Sequence, residues 1–200
     1  MLVDDPQTTI PVPAEGAVES VAIIGAGAGD RTASDLRSEA VLDPALAESV
    51  AVKLKARGDT VAVAEGSCGG LISASLLAVP GASAYLVGGS VIYTRTAKEA
   101  LFPGIETVKG MRGATEEWAT WLARAARDRM GTTWGMGEGG AAGPTNPYGD
   151  PAGHAWFAVA GPDGAVHTRH LLTGIDDRST NMVEFTRAAI ALLEECVDRP

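Results

Sequence analysis

Two hundred residues with 46% apolar content suffice for one well-cored domain and are too few for two large ones. Twenty-five acidic against sixteen basic residues leave a formal charge of −9; with no dense Lys/Arg run to track a phosphate backbone, nucleic acid is excluded as an expected partner. A small phosphorylated ligand is not excluded, because it needs only local N–H groups and one or two cations. Cys68 and Cys196 are far apart in sequence and predict neither a disulfide framework nor a metal cluster. The acidic start MLVDDPQTT lacks a basic segment, and no apolar run approaches the ~18–20 residues that span a bilayer. The expectation is a cytoplasmic protein without membrane insertion.

Residues 1–41 carry Pro6, Pro11 and Pro13 and hold no lasting helical or strand period, which predicts a partly disordered extension. Within it, VAIIGAGAG imitates a dinucleotide-binding turn. Asp30 stands where the third glycine belongs, and no βαβ unit follows, so the fingerprint fails.

The patterned domain is expected over 42–200. Leu46, Val50 and Leu54 recur at helical spacing, with Lys53, Lys55 and Arg57 near the end and Gly58 as the stop. Thr60 to Ala64 reads as a buried strand, Gly69 and Gly70 open the helix LISASLLAV, and Ala84–Val87 and Ser90–Tyr93 read as two strands. A helix containing Lys98 follows, and another starts at Thr115-Glu116-Glu117, where early acids suit the positive end of the dipole. A strand is expected near Thr133–Met136, then a loop, EGGAAGPTNPYGDPAG. His154–Ala160 and Val166–Leu172 form a hairpin about Gly161–Gly164, and a final helix covers Ser179–Val197. Helices alternating with strands, closed by one hairpin, predict a layered α/β domain with a mixed sheet.

The segment 61–98 concentrates chemistry: an apolar run, a Ser-Cys-Gly-Gly turn, a small-residue helix, then Tyr93 and Lys98. Serine alone is a poor nucleophile, and a desolvated lysine or a relaying tyrosine activates it; by itself, serine before a helix is a cap. Cys68 is open between a thiolate at a helix N-terminus and a small buried thiol. Glu65 is open between orienting Lys98, holding a ribose and pairing with a basic neighbour. Trp118 and Trp121 lie three apart on one helix face, where packing is the default. Arg178 is open between a phosphate contact and a solvated first-turn residue, and the three histidines show no ligand spacing with the cysteines.

The ordered blocks AEGSCGG, LISASLLAVPGAS, GGSVIYTRTAK, RGATEE, GGAAGP and AGHAWFAVAGPDG together resemble the CinA C-terminal domain family, nicotinamide-nucleotide amidohydrolases also called nicotinamide mononucleotide deamidases. The resemblance implies a three-layer α/β/α sandwich and a metal-free, cofactor-free hydrolysis of a nucleotide amide to the carboxylate and ammonia. It also implies a small-molecule nucleotide substrate and a homo-oligomer. Its A-E-S-C-T-G-G block contains the nucleophile. Aligned without gaps, that serine falls on Gly66; aligned on the Ser-Cys pair, it falls on Ser67. Tyr93 and Lys98 match the family's tyrosine and lysine, so the implied catalytic residues are Ser67, Tyr93 and Lys98. Glu65, Gly66, Cys68, Gly69, Gly70, Gly140 and Gly143 are the implied substrate contacts, with N–H groups of 68–70 holding an oxyanion or phosphate. Gly139 stands where the family tends to have a hydroxyl residue. The two hydroxyl losses, at Gly66 and Gly139, point to a slow, altered or catalytically lapsed member, whose alternative role is nucleotide binding.

Overall fold

The computed structural model describes residues 44–107 and 111–199. The extension at 1–41, with its VAIIGAGAG segment, lies outside them. In chain order the elements are α1 (Pro44–Arg57), β1 (Val61–Glu65), α2 (Leu71–Leu77), β2 (Leu86–Val91), α3 (Arg95–Leu101), α4 (Glu116–Met130), β3 (Trp134–Ala141), β4 (His154–Ala160), β5 (Val166–Leu172) and α5 (Arg178–Val197). They build one five-stranded sheet in the order β2-β1-β3-β4-β5. β1 pairs parallel with both β2 and β3, and β3-β4-β5 run antiparallel.

The two sheet faces separate the two main cores. Val61 and Val63 of β1 pack with Val50 and Leu54 of α1, Ile72 and Leu76 of α2, and Phe185 and Leu193 of α5. Ala62 and Ala64 point the other way, onto Leu122 and Ala126 of α4 and onto Phe102 beyond α3. Strand alternation at a period of two therefore produces the expected three-layer α/β/α sandwich with a mixed sheet. No helix among the described residues is long and apolar enough to cross a membrane.

Two strand readings change. β2 is one strand, not two, because Gly88 and Gly89 keep pairing with Ala62 and Val63 of β1; their lack of side chains does not interrupt the ladder. β3 continues through Glu138–Ala141, which the sequence places in a loop. The glycines of β3 answer to packing: a Cβ on Gly135 or Gly137 would lie 2.0 Å from the carbonyl oxygen of Ala123 or Ala119 in α4. The helix backbone lies directly on the strand, and only glycine permits that approach.

Candidate functional site

A cleft of about 750 Å³ opens at the carboxyl ends of the parallel strands. Chain progression leaves β1 first toward β2 and later toward β3, and such a switch point is where open α/β sheets bind ligands. Gly66, Ser67, Tyr93, Lys98, Gly140 and Gly143 line the cleft, whereas Glu65, Cys68, Gly69 and Gly70 do not.

Ser67, 5% exposed, lies in the turn after β1. Its hydroxyl donates to Oε1 of Glu138, a fully buried residue on β3. Oε2 of Glu138 accepts from the Gly66 and Cys68 N–H groups, both at 2.9 Å. Glu65 and Glu138 are register partners on β1 and β3, so two buried carboxylates stand side by side. Burial pushes the Glu138 carboxyl above the usual carboxylate range, and the Glu65 charge adds to that. The bonds from Ser67 and the two N–H groups pull the other way without cancelling the shift.

The Glu65 carboxylate turns back onto α2. Oε2 accepts from the N–H groups of Gly70 at 3.0 Å and Ile72 at 3.1 Å. Oε1 accepts from the Ser73 N–H at 3.0 Å and the Ser73 hydroxyl at 2.6 Å. None of the three roles open to Glu65 in the sequence is what the structure shows. Its carboxylate satisfies the free N–H groups at the start of the helix, a task that otherwise falls to a capping Ser, Thr, Asp or Asn.

The expected anion cradle at 68–70 is corrected for the same reason. The Cys68 N–H is held by Glu138, that of Gly69 by the Gly66 carbonyl at 3.2 Å, and that of Gly70 by Glu65. Cys68 is wholly buried, and burial pushes its thiol well up, so it is a packed thiol and not a thiolate.

The proton partner of Ser67 also differs from the sequence expectation. Tyr93, 65% exposed, accepts at its hydroxyl from Arg178 at 3.2 Å, and the guanidinium stands 5.9 Å from its ring. Lys98 Nζ lies 5.4 Å from the Trp121 ring centroid. Both line the cleft, but the hydroxyl of Ser67 is engaged by Glu138. Sequence reasoning missed Glu138; the available signal was a single carboxylate inside the small-residue run GMGEGG, a costly group to bury without a purpose.

Cations gather around this floor. Arg178 donates to the Gly143 carbonyl at 3.0 Å. Arg112 grips Asp150 through two bonds of 2.6 and 3.0 Å and stacks on Tyr148, pinning the 142–153 loop; the guanidinium holds the Asp150 carboxyl below its usual range. Behind the wall, His154 Nε2 meets the Ala114 carbonyl at 2.9 Å and its Nδ1 meets His170 at 2.8 Å. The histidines therefore serve packing and wall support. Among the described residues, no group of three or more His, Cys, Asp or Glu is placed to hold a metal ion.

The family model described as the CinA C-terminal domain matches residues 43–197. The chain belongs to the CinA C-terminal domain family. CinA-like proteins of Anaeromyxobacter are similar: 40% identical over 135 residues in strain K, covering 66% of this chain and 33% of that protein. In strain Fw109-5 the identity is 36% over 180 residues, covering 87% and 42%. The chain thus spans about a third to two fifths of the length of these curated relatives. Among solved structures, a CinA superfamily protein from Klebsiella pneumoniae superposes with a TM-score of 0.71 at 27% identity, over 77% of this chain and 96% of that one. A competence/damage-inducible protein from Agrobacterium tumefaciens gives 0.71 at 26%, over 78% and 95%. A Cβ on Gly66 would meet only ordinary contacts, at 3.5 Å to the Glu138 and Ile92 carbonyls.

Proposed function

We propose that the chain is an amidohydrolase that deamidates nicotinamide mononucleotide, or a related nucleotide amide, to the carboxylate and ammonia. The observation that supports this reading most is the Ser67 hydroxyl on the cleft lining, bonded to a buried carboxylate of raised pKa. Such a carboxylate is a stronger base than a solvated one and lies nearer the range in which general bases work at neutral pH.

Ser67 Oγ attacks the amide carbon while its proton passes to Glu138, leaving a tetrahedral oxyanion. Among the described residues the Ser67 N–H has no acceptor, so it is free to stabilise that charge. Collapse breaks the C–N bond, and the proton on Glu138 goes to the departing nitrogen, which leaves as ammonia. Water then attacks the seryl ester with Glu138 taking its proton, and as the C–O bond to serine breaks that proton returns to Ser67 Oγ, releasing the acid and restoring serine and carboxylate. Lys98 and Arg178, which have no carboxylate partner among the described residues, suit the phosphate of such a substrate.

The test is ammonia release from nicotinamide mononucleotide by wild type, Ser67→Ala, Glu138→Gln and Lys98→Ala. Turnover lost in the first two variants supports the dyad; full turnover in Ser67→Ala refutes it.

A second reading, a lapsed enzyme that binds a nucleotide, is favoured by Gly66: in the ungapped alignment the nucleophile position is bare, although its surroundings admit a side chain. Binding without turnover in wild type, with ammonia release appearing in Gly66→Ser, selects that reading.

A further inference from the structure

We propose that Trp118 is a ligand-contacting residue, its indole Nε1–H donating a hydrogen bond to an acceptor oxygen of the molecule the cleft takes. This rests on the cleft being a ligand site, and not on which reaction occurs there.

Trp118 lies in the first turn of α4, where Thr115 caps its N–H at 3.3 Å, and its side chain lines the cleft. The indole pyrrole edge fills the volume a side chain at position 139 would need. A Cβ on Gly139 would fall 2.5 Å from Cδ1 and 3.2 Å from Nε1. The ring is backed by Trp121, stacked at 5.2 Å and within 6° of parallel. Trp121 is itself anchored, donating from its indole to the Glu106 carbonyl at 2.8 Å and meeting Phe102 edge-on at 5.8 Å. Trp118 is therefore held in one orientation from behind.

Its polar end is unspent. Trp121 and Trp134 each donate to a protein oxygen, Trp134 to Asp59 at 3.0 Å. The Trp118 indole has no acceptor among the described residues; Trp156 shares that condition but lies outside the cleft. An indole donates and cannot accept, so a group that satisfies Nε1 must present an oxygen acceptor. Lys98 and Arg178 on the same cleft favour an anionic molecule. The substrate class is an oxygen-rich anion, such as a mononucleotide, that spans from these cations to the Gly139 floor.

The experiment follows the indole N–H signals of wild type in 1H–15N spectra, assigned with Trp118→Phe, while nicotinamide mononucleotide, its carboxylate product or inorganic phosphate is added. The Trp118 N–H is expected to move downfield and saturate with at least one of them. Trp118→Phe keeps a ring against Trp121 and removes the donor together with the pyrrole edge; calorimetry should show that ligand bound roughly 10- to 100-fold more weakly, the range for one hydrogen bond to a charged acceptor. Should Trp118→Phe misfold, assigning the other three indoles with Trp121→Phe, Trp134→Phe and Trp156→Phe leaves the Trp118 signal by elimination, and the wild-type titration still decides. A Trp118 signal unmoved by all three molecules overturns the proposal, as does unchanged affinity in a folded Trp118→Phe. Binding with the shift but without ammonia release sinks the amidase reading and leaves this one standing.

Discussion

Replacing each of the two buried glutamates by glutamine should have opposite consequences, although the residues are register partners on adjacent strands. In Glu65 both oxygens face N–H groups: Oε2 takes those of Gly70 and Ile72, and Oε1 takes the Ser73 N–H and hydroxyl. A glutamine has one oxygen. With that oxygen in the Oε2 position, its NH₂ group faces Ser73, whose hydroxyl can turn to accept but whose N–H cannot. At least one buried donor is orphaned, at about 1–3 kcal/mol. Removing the anion from the helix start adds about 0.3–1 kcal/mol. The sum, about 1.3–4 kcal/mol, is a large part of the ~5–15 kcal/mol that holds a domain together.

In Glu138→Gln the amide oxygen keeps the Gly66 and Cys68 N–H bonds while one hydrogen of the NH₂ donates to Ser67 Oγ, whose own proton turns to the cleft; the second amide hydrogen lacks an acceptor among the described residues, but the desolvation penalty of a buried carboxylate is removed. The two effects oppose each other, so stability should change by about 1 kcal/mol or less, while ammonia release is lost with the proton acceptor. In urea, an m-value of ~2 kcal/mol/M puts the Glu65→Gln midpoint about 0.7–2 M below wild type at unchanged m. Equal midpoints for the two variants, or a Glu65→Gln loss under ~1 kcal/mol, would refute the hydrogen-bond reasoning.

Four further outcomes are expected. Because the Glu138 carboxyl is raised in the fold, the folded chain keeps that proton to higher pH than the unfolded one. Its ionisation therefore erodes stability as pH climbs from the ordinary carboxylate range through the raised value. The stability of Glu138→Gln relative to wild type should accordingly increase as pH rises above the ordinary carboxylate range in urea titrations, and a constant difference would count against the shift. Asp150 is depressed by Arg112; its contribution is complete above the unfolded carboxylate value and disappears as pH falls through the lower folded one. Protection factors of the 142–153 loop, corrected for intrinsic exchange rates, should therefore fall at acid pH in wild type and be low at all pH values in Asp150→Asn, and equal protection in both at neutral pH would reject the clamp. Gly137→Ala, whose Cβ would lie 2.0 Å from the Ala119 carbonyl, should be destabilised by roughly 3 kcal/mol or more, since a tight contact with backbone relaxes poorly; a thermal midpoint near wild type would deny the contact. Gly66→Ser, with only 3.5 Å contacts and no left-handed backbone, should fold with an unchanged melting temperature, and a marked drop would mean that the turn has no room there.

Local signals in the chain were sufficient for the helices, the terminal hairpin and the layered α/β class, since periodicity and caps such as Thr115 and Gly58 act over a few residues. The family was legible too, because blocks of motif keep their order whatever the fold does with them. Glycine content misled at Gly88-Gly89 and Gly139-Gly140, where strand continuity depends on a neighbouring ladder. The site was divided in the same way. Ser67, Tyr93 and Lys98 could be named from one segment, yet which group holds the Ser67 proton depends on Glu138, 71 residues away, brought beside it by β1–β3 pairing. Tertiary structure alone decided that Glu65 seals the start of α2, that the N–H groups of 68–70 are already taken, and that Trp118 fills the space over Gly139. Hydrogen bonds and steric exclusion between strands distant in sequence leave no periodic trace in the chain, and so they become visible only when the sheet is assembled.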